Sequence, residues 1–327
     1  MTRQISGKMK LLGMFALLLA LACNAAVAQG YPGKPVRIIV PFAPGGATDI
    51  VTRIVAQKLT EAWGQPVIVE NRGGAGGNIG GEAVVSSAPD GYTLLMTSGS
   101  IVTANQHVYK KMPFDPVKDL IPITNVASGP QVVVVHPDFA VKNLQQLIDL
   151  AREKPGVLNY GHAGIGSQTH LAAENFLFAA NLNIISVPYK GEAPAMTDLV
   201  ANQINMATAN IAGAIGFINQ GKLRALAVTG KQRSPQLPEV PTVAETLPGF
   251  DNSGWFGLMA PAGTPKEVVD KVYRDTAKIL DSTELRARFY VLGMVPVGNS
   301  PAEFADAIRE ESARWARVVR ERKIVVN

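Results

Sequence analysis

The stretch VPFAPGGATDIVTRIVAQKL, Val40 to Leu59, decides how the rest of the chain is read. It completes a β-branched apolar run, Val36-Arg37-Ile38-Ile39-Val40. That run stops at Pro41, passes Gly45-Gly46, and becomes a pattern with Ile50, Ile54, Val55 and Leu59 on one helical face. A strand feeding a helix through a glycine-rich loop opens an α/β unit, and the loop lies at the carboxyl end of the strand, where open α/β sheets bind ligands. Glycines ahead of a helix let backbone come close to a ligand and leave N–H groups aimed at an anion. The loop contains no lysine, histidine or cysteine, so it lacks the grip of a phosphate-binding P-loop. Two readings stay open: a carboxylate held by backbone groups, or a tight turn at Gly45-Gly46 with Thr48 or Asp49 capping the helix.

Working outward, strand and helix signals alternate, the pattern of α/β units with parallel strands. A helix is expected over Asp49 to Trp63, a strand over Pro66 to Glu70, a helix over Ile79 to Ala88 and a strand over Thr93 to Met96. Each of the first three strands is followed by small residues: Gly45 to Thr48, Gly73 to Asn78 and Thr97 to Ser100. After the buried-strand run Gln131 to Val135 the pattern repeats in kind. Helices are expected over Asn143 to Lys154, Leu171 to Ala179 and Ala193 to Asn202, with strands over Leu158 to Gly161, Ile184 to Tyr189, Ile204 to Ala209 and Leu223 to Thr229. Trp255 to Pro261 then leads into helices over Lys266 to Asp281, Thr283 to Leu292 and Pro301 to Glu321. No flexible tether interrupts this order, so the two lobes are joined by strand-like crossings near Ala127 and Ser253, as in a hinged clamp.

Composition agrees with an exported globular protein. The 327 residues carry a formal charge of +5, which falls to +2 when Arg3, Lys8 and Lys10 of the first 28 positions are set aside. Basic residues are not interleaved with aromatics, so no nucleic-acid surface is implied. Those first 28 residues join a basic start to the apolar run Leu11 to Ala22, too short to span a bilayer, and to Ala26-Val27-Ala28 before Gln29. They read as a signal peptide, with a lipidated Cys23 as the alternative N-terminus. Either way the mature chain has no disulfide and depends on its core.

The stretch Tyr160-Gly161-His162-Ala163-Gly164-Ile165-Gly166-Ser167-Gln168-Thr169-His170-Leu171 mirrors the first loop: strand, glycines, then Ser167 and Thr169 poised to cap a helix. Ser167 with His170 as nucleophile and base is the rival reading, but no third residue orients the imidazole and the G-x-S-x-G elbow is absent. The run Gly73 to Gly80 fails the dinucleotide fingerprint, because Ile79 stands where its third glycine belongs. His107, His136, His162 and His170 show no metal-ligand spacing, so neither metal nor cofactor is expected.

Several motifs together carry a likeness. Tyr31-Pro32-Gly33-Lys34-Pro35-Val36, Pro41 to Asp49, Val69-Glu70-Asn71-Arg72, Gly76 to Gly80, Pro89 to Leu94, Gly164 to Ser167 through His170-Leu171, Pro188 to Gly191 and Trp255-Phe256-Gly257 occur in this order. The chain resembles the Bug family of periplasmic solute-binding receptors, the extracytoplasmic components of tripartite tricarboxylate transporters. The resemblance implies an α/β two-lobe clamshell, each lobe a mainly parallel sheet flanked by helices, with the ligand cleft between lobes. Residues 1–28 would be the signal peptide, 29–126 with 254–327 the first lobe, and 127–253 the second. It implies a small organic carboxylate as ligand, held without a salt bridge by two facing loops. Phe42, Gly46, Ala47, Thr48 and Asp49 belong to one loop and Gly164, Gly166, Ser167, Thr169 and His170 to the other, while Ser98, Tyr189 and Asn210 shape the far end. Asn210 stands where many relatives carry an acid, which argues against a ligand ammonium. The implied partners are the membrane permease subunits, with a membrane sensor as the alternative partner and a secreted serine hydrolase as the other rival function. The protein is expected to be a monomer in the periplasm and not an enzyme.

Overall fold

Among residues 30–322, which the computed structural model describes, the apolar runs form strands whose side chains alternate between two cores. In β1 (Val36–Val40), Ile38 packs with Val51, Val55 and Leu59 of helix α1 (Ala47–Trp63), and Ile39 packs on the other face with Phe42 and Val84. Successive elements are β2 (Val67–Asn71), α2 (Asn78–Val85), β3 (Thr93–Ser98), the short helices α3 (Gly99–Thr103) and α4 (Asn105–Val108), and the long strand β4 (Leu120–Val135). Then come α5 (Leu144–Glu153), β5 (Asn159–His162), α6 (Gln168–Ala180), β6 (Ile185–Pro188) and α7 (Glu192–Val200). The chain continues through β7 (Met206–Asn210), α8 (Ile211–Asn219), β8 (Arg224–Val228) and β9 (Ser253–Pro261). It finishes with α9 (Lys266–Leu280), α10 (Thr283–Val291), β10 (Val295–Pro296) and α11 (Pro301–Arg322).

The strands follow the path β2-β1-β3-β9-β4-β7-β5-β6, with β8 and β10 also paired to β4. Parallel pairing joins β1 to β2 and β3, and β5 to β6 and β7. β9 and β4 run antiparallel to their neighbours, so the sheet is mixed where the sequence suggested a mainly parallel one. The reason is the role of these two strands. They pass side by side between the halves of the sheet, paired through Gly129↔Gly254 and Pro130↔Ser253, and from Gln131 onward β4 pairs with β7.

Strand β4 shows how sequence builds both halves. Val133 and Val135 enter the core formed with α5 and α6, while Val132 and Val134 enter the core formed with α7 and α8. Each fully buried valine contributes roughly 1.5–2 kcal/mol. β4 begins well before the Gln131–Val135 run, because Pro122 and Pro130 mask its earlier part in the sequence; its register shifts at Pro122/Thr124. Helix α3 occupies positions that read as loop, and α8 was not foreseen. The C-terminal helix α11 packs Phe304 and Ile308 onto the first core, and Glu311 accepts a hydrogen bond from Trp255 Nε1 at 2.6 Å. No helix among the described residues is long and apolar enough to cross a membrane. The signal-peptide and Cys23 readings lie outside the described residues.

Candidate functional site

Helix α1 begins with no side-chain cap of its own. Its N-cap is Gly46, where neither Thr48 nor Asp49 stands. Asp49 instead points back and sideways: its carboxylate accepts from Gly45 N–H at 3.0 Å, from Arg53 Nε at 2.8 Å and from Asn71 Nδ2 at 2.9 Å. Burial pushes the Asp49 carboxyl up, but those hydrogen bonds together hold it below the usual carboxylate range. It braces the loop and does not line the cavity. The first amide of α1 is satisfied from the other half of the molecule, where Glu192 Oε2 accepts from Ala47 N–H at 3.1 Å. Glu192, 5% exposed, also accepts from Asn210 N–H at 2.5 Å and from Asn210 Nδ2 at 3.2 Å. Burial raises its carboxyl above the usual range, opposed by these same N–H groups.

The second loop is held by its own histidines. Ser167 caps α6, accepting from His170 N–H at 3.3 Å, and Thr169 Oγ1 accepts from Ala163 N–H at 2.9 Å. His162 Nδ1 accepts from Gly164 N–H and His170 Nδ1 from Gly166 N–H, each at 3.2 Å. Both rings are buried and neutral; burial brings His170 down to about 4, and burial with the neighbouring ring brings His162 down to about 3. His170 Nε2 lies 3.9 Å from Glu174. With Nδ1 on Gly166 and Nε2 toward Glu174, the imidazole has no nitrogen left to act as a base on Ser167.

Each loop is tied to residues outside the other loop. Ala43 N–H donates to Lys190 O at 3.1 Å, and Tyr109 Oη donates to Ile165 O at 2.6 Å. Between the two loops lies a cavity of about 10 Å³, the room of a single water. Of the residues the sequence proposes for ligand binding, Phe42, Gly46, Ala47, Thr48, Ser98, Ser167, Thr169 and Asn210 line it. Gly164 and Gly166 do not line it; they take φ of +115° and +79° and shape the loop, and His170 supports that loop from beneath. Tyr189 turns away, donating to Asp198 at 2.6 Å, and burial with that carboxylate pushes its phenol up to about 12. Ala163, Gln168 and Glu192 also line the cavity and were missed. Glu192 reads in the sequence as an ordinary acidic residue at a helix start, which gives no sign that it is buried. Among the described residues no cluster of three or more His, Cys, Asp or Glu could hold a metal ion.

Residues 51–324 match the model of the tripartite tricarboxylate transporter family receptor. The chain belongs to that receptor family. Protein BugT of Bordetella pertussis is 38% identical to the receptor, over 95% of this chain and 97% of its own. The solved structure of R. palustris Rpa4515 with adipate superposes with a TM-score of 0.88 at 34% identity, covering 90% of the receptor and all of that chain. MatC of Rhodopseudomonas palustris with bound malate gives 0.85 at 32% identity, covering 88% of the receptor and all of that chain. The receptor is thus a solute-binding protein of a periplasmic binding-protein family, and its motif resemblance is borne out.

Proposed function

We propose that this receptor is exported to the periplasm, captures a small organic carboxylate, and delivers it to the permease subunits of a tripartite tricarboxylate-type transporter. One observation carries the reading: the first turns of α1 and α6 converge on one cavity lined by the hydroxyl-bearing residues Thr48, Ser98, Ser167 and Thr169. Helix N-termini and hydroxyls hold an anion without a cationic side chain. Such a grip releases its ligand more readily than a buried ion pair. The adipate and malate held by two relatives support a carboxylate as the ligand here. The lobes would be residues 29–126 with 254–327, and 127–253, moving about the β4–β9 crossing.

A thermal-shift screen tests this on mature protein refolded to remove carried-over ligand, against mono-, di- and tricarboxylates, amino acids and aromatic acids. A ligand at about 100 times its Kd adds about 2.7 kcal/mol, a shift of several degrees for a chain of this size. A shift confined to carboxylic acids is expected; none with any acid, on folded protein, would sink the reading. In the same assay Ser167→Ala is expected to weaken binding roughly tenfold, by loss of one hydrogen bond to a charged group. It also removes the α6 cap, which lowers stability by about 1 kcal/mol. Unchanged affinity would remove Ser167 from the site.

A further inference from the structure

Strand β4 changes partners between two neighbouring residues. Pro130 is the last to pair with β9, opposite Ser253, and Gln131 is the first to pair with β7, opposite Asn210. Gln131 therefore stands at the exit of the crossing, fully buried. A buried carboxamide has to place both an acceptor and donors. Gln131 Oε1 accepts from Asn252 Nδ2 at 2.9 Å, and its Nε2 donates to Asn210 Oδ1 at 3.4 Å. Asn252 leads directly into β9, and Asn210 lines the cavity. One side chain thus joins the two crossing strands to the ligand site.

The joint is braced by Thr229, also fully buried. Its Oγ1 accepts from Gln131 N–H at 2.8 Å and donates to Asn252 O at 2.7 Å, and Asn252 N–H donates to Thr229 O at 2.9 Å. Gln131 cannot turn within this frame without breaking bonds to its neighbours. Asn210 is fixed in consequence: its Oδ1 meets Gln131, and its Nδ2 donates to Glu192 at 3.2 Å. Gly254, on β9, closes the frame. A Cβ there would overlap Gln168 Nε2 and stand 2.5 Å from Gln131 Nε2. A bend at the crossing moves Gly254 against two amides; Gln168 itself lines the cavity, and Gln131 holds Asn210 there.

We propose that Gln131 is a positioning residue for ligand capture: it sets Asn210 in the cavity from the β4–β9 crossing, so that the bend of the crossing and the shape of the cavity change together. This rests on the carboxylate-receptor reading and adds the residue through which the crossing reaches the site.

Isothermal titration of the refolded wild type with butyrate, malate, adipate, citrate, glutamate and benzoate identifies the acids that bind, and the variants are titrated with those. Gln131→Met keeps the length of the side chain and removes both its hydrogen bonds. On folded protein it is expected to bind about tenfold more weakly, the effect of about one lost hydrogen bond. Thr229→Val loosens the brace with Gln131 in place and is expected to weaken binding about threefold; it carries the test if Gln131→Met does not fold. Asn205→Ala is the control, since Asn205 lies at the other end of β7 and accepts from Asn159 N–H at 2.9 Å. It is expected to lower the urea midpoint and to bind as wild type does, as any residue that only stabilises this half of the molecule would. Unchanged affinity in folded Gln131→Met, or an equal loss in Asn205→Ala, would overturn the inference and leave the receptor reading standing. Wild type that is folded and binds none of these acids would overturn the receptor reading and the inference with it.

Discussion

Gly76→Val is expected to weaken ligand binding on the order of 100-fold while leaving the receptor folded. A Cβ at Gly76 would stand 2.1 Å from Ile165 O and 2.9 Å from Tyr109 Oη, atoms that themselves join across the cleft. Neither can yield, since one is backbone and the other is held at 2.6 Å to it. Closure is therefore blocked, and the ligand is left with the contacts of one lobe. A closing penalty of about 3 kcal/mol corresponds to a loss of that size. The φ of +61° at Gly76 adds about 1 kcal/mol of backbone strain for any other residue. Gly221→Val separates the two effects: its φ is +67° and nothing lies within 4 Å of its Cβ position. Calorimetry should show Gly221→Val binding as wild type does, and small-angle scattering should show ligand-induced contraction in wild type but not in Gly76→Val. Equal affinity in the two valine variants would show that this contact does not govern closure.

Between pH 7 and pH 4 the histidine pair is expected to remove on the order of 6 kcal/mol of stability. In the folded chain His162 and His170 titrate at about 3 and about 4, against an ordinary value of 6.5. Below pH 6.5 the unfolded chain takes up protons that the native chain does not, so stability falls as pH falls until the folded values are reached. Each imidazole contributes about 3 kcal/mol over that window. Burial is the cause at both rings, with the neighbouring ring adding to it at His162; each Nδ1 also accepts a loop amide, and a proton there would set N–H against N–H. The rings face each other at 4.4 Å, with Tyr160 and Glu174 beside His170 and Ser186 on His162. Glu192 acts in the opposite sense. Its raised value means that the native chain takes up that proton first and gains stability on acidification. Urea denaturation of wild type and the double variant His162→Asn with His170→Asn isolates the pair, because asparagine keeps an acceptor near Nδ1 and does not titrate. The variant should lose several kcal/mol less than wild type between the two pH values; parallel curves would refute the assignment.

The parts of the molecule legible in the sequence are those governed by near neighbours. Ser167 caps α6 through a bond three residues long, and the alternation within Val132 to Val135 is local to the strand. Distance along the chain hides the rest. The cap of α1 comes from Glu192, 145 residues away, so reading Thr48 or Asp49 as the cap looked in the wrong place. Helix α8, Ile211–Asn219, is apolar with two glycines; its first turns bury Ile211, Ala212, Ala214 and Ile215, and Gly213 must admit the Glu192 carboxyl. Tyr189 sits beside the cleft in sequence, but its phenol is drawn off by Asp198.

The two strands that cross between the halves lie paired edge to edge, and at their crossing Gly254 is pressed by Gln168, whose Nε2 would overlap a Cβ placed there. A pair of bonded ribbons bends easily across its face but resists shear and twist, so the proposed lobes would have one soft coordinate and not several. The residue pressing on that pivot also lines the cavity. Under the proposed function occupancy and angle would then be geared together, and a membrane partner would need to gauge a single angle to tell a loaded receptor from an unloaded one.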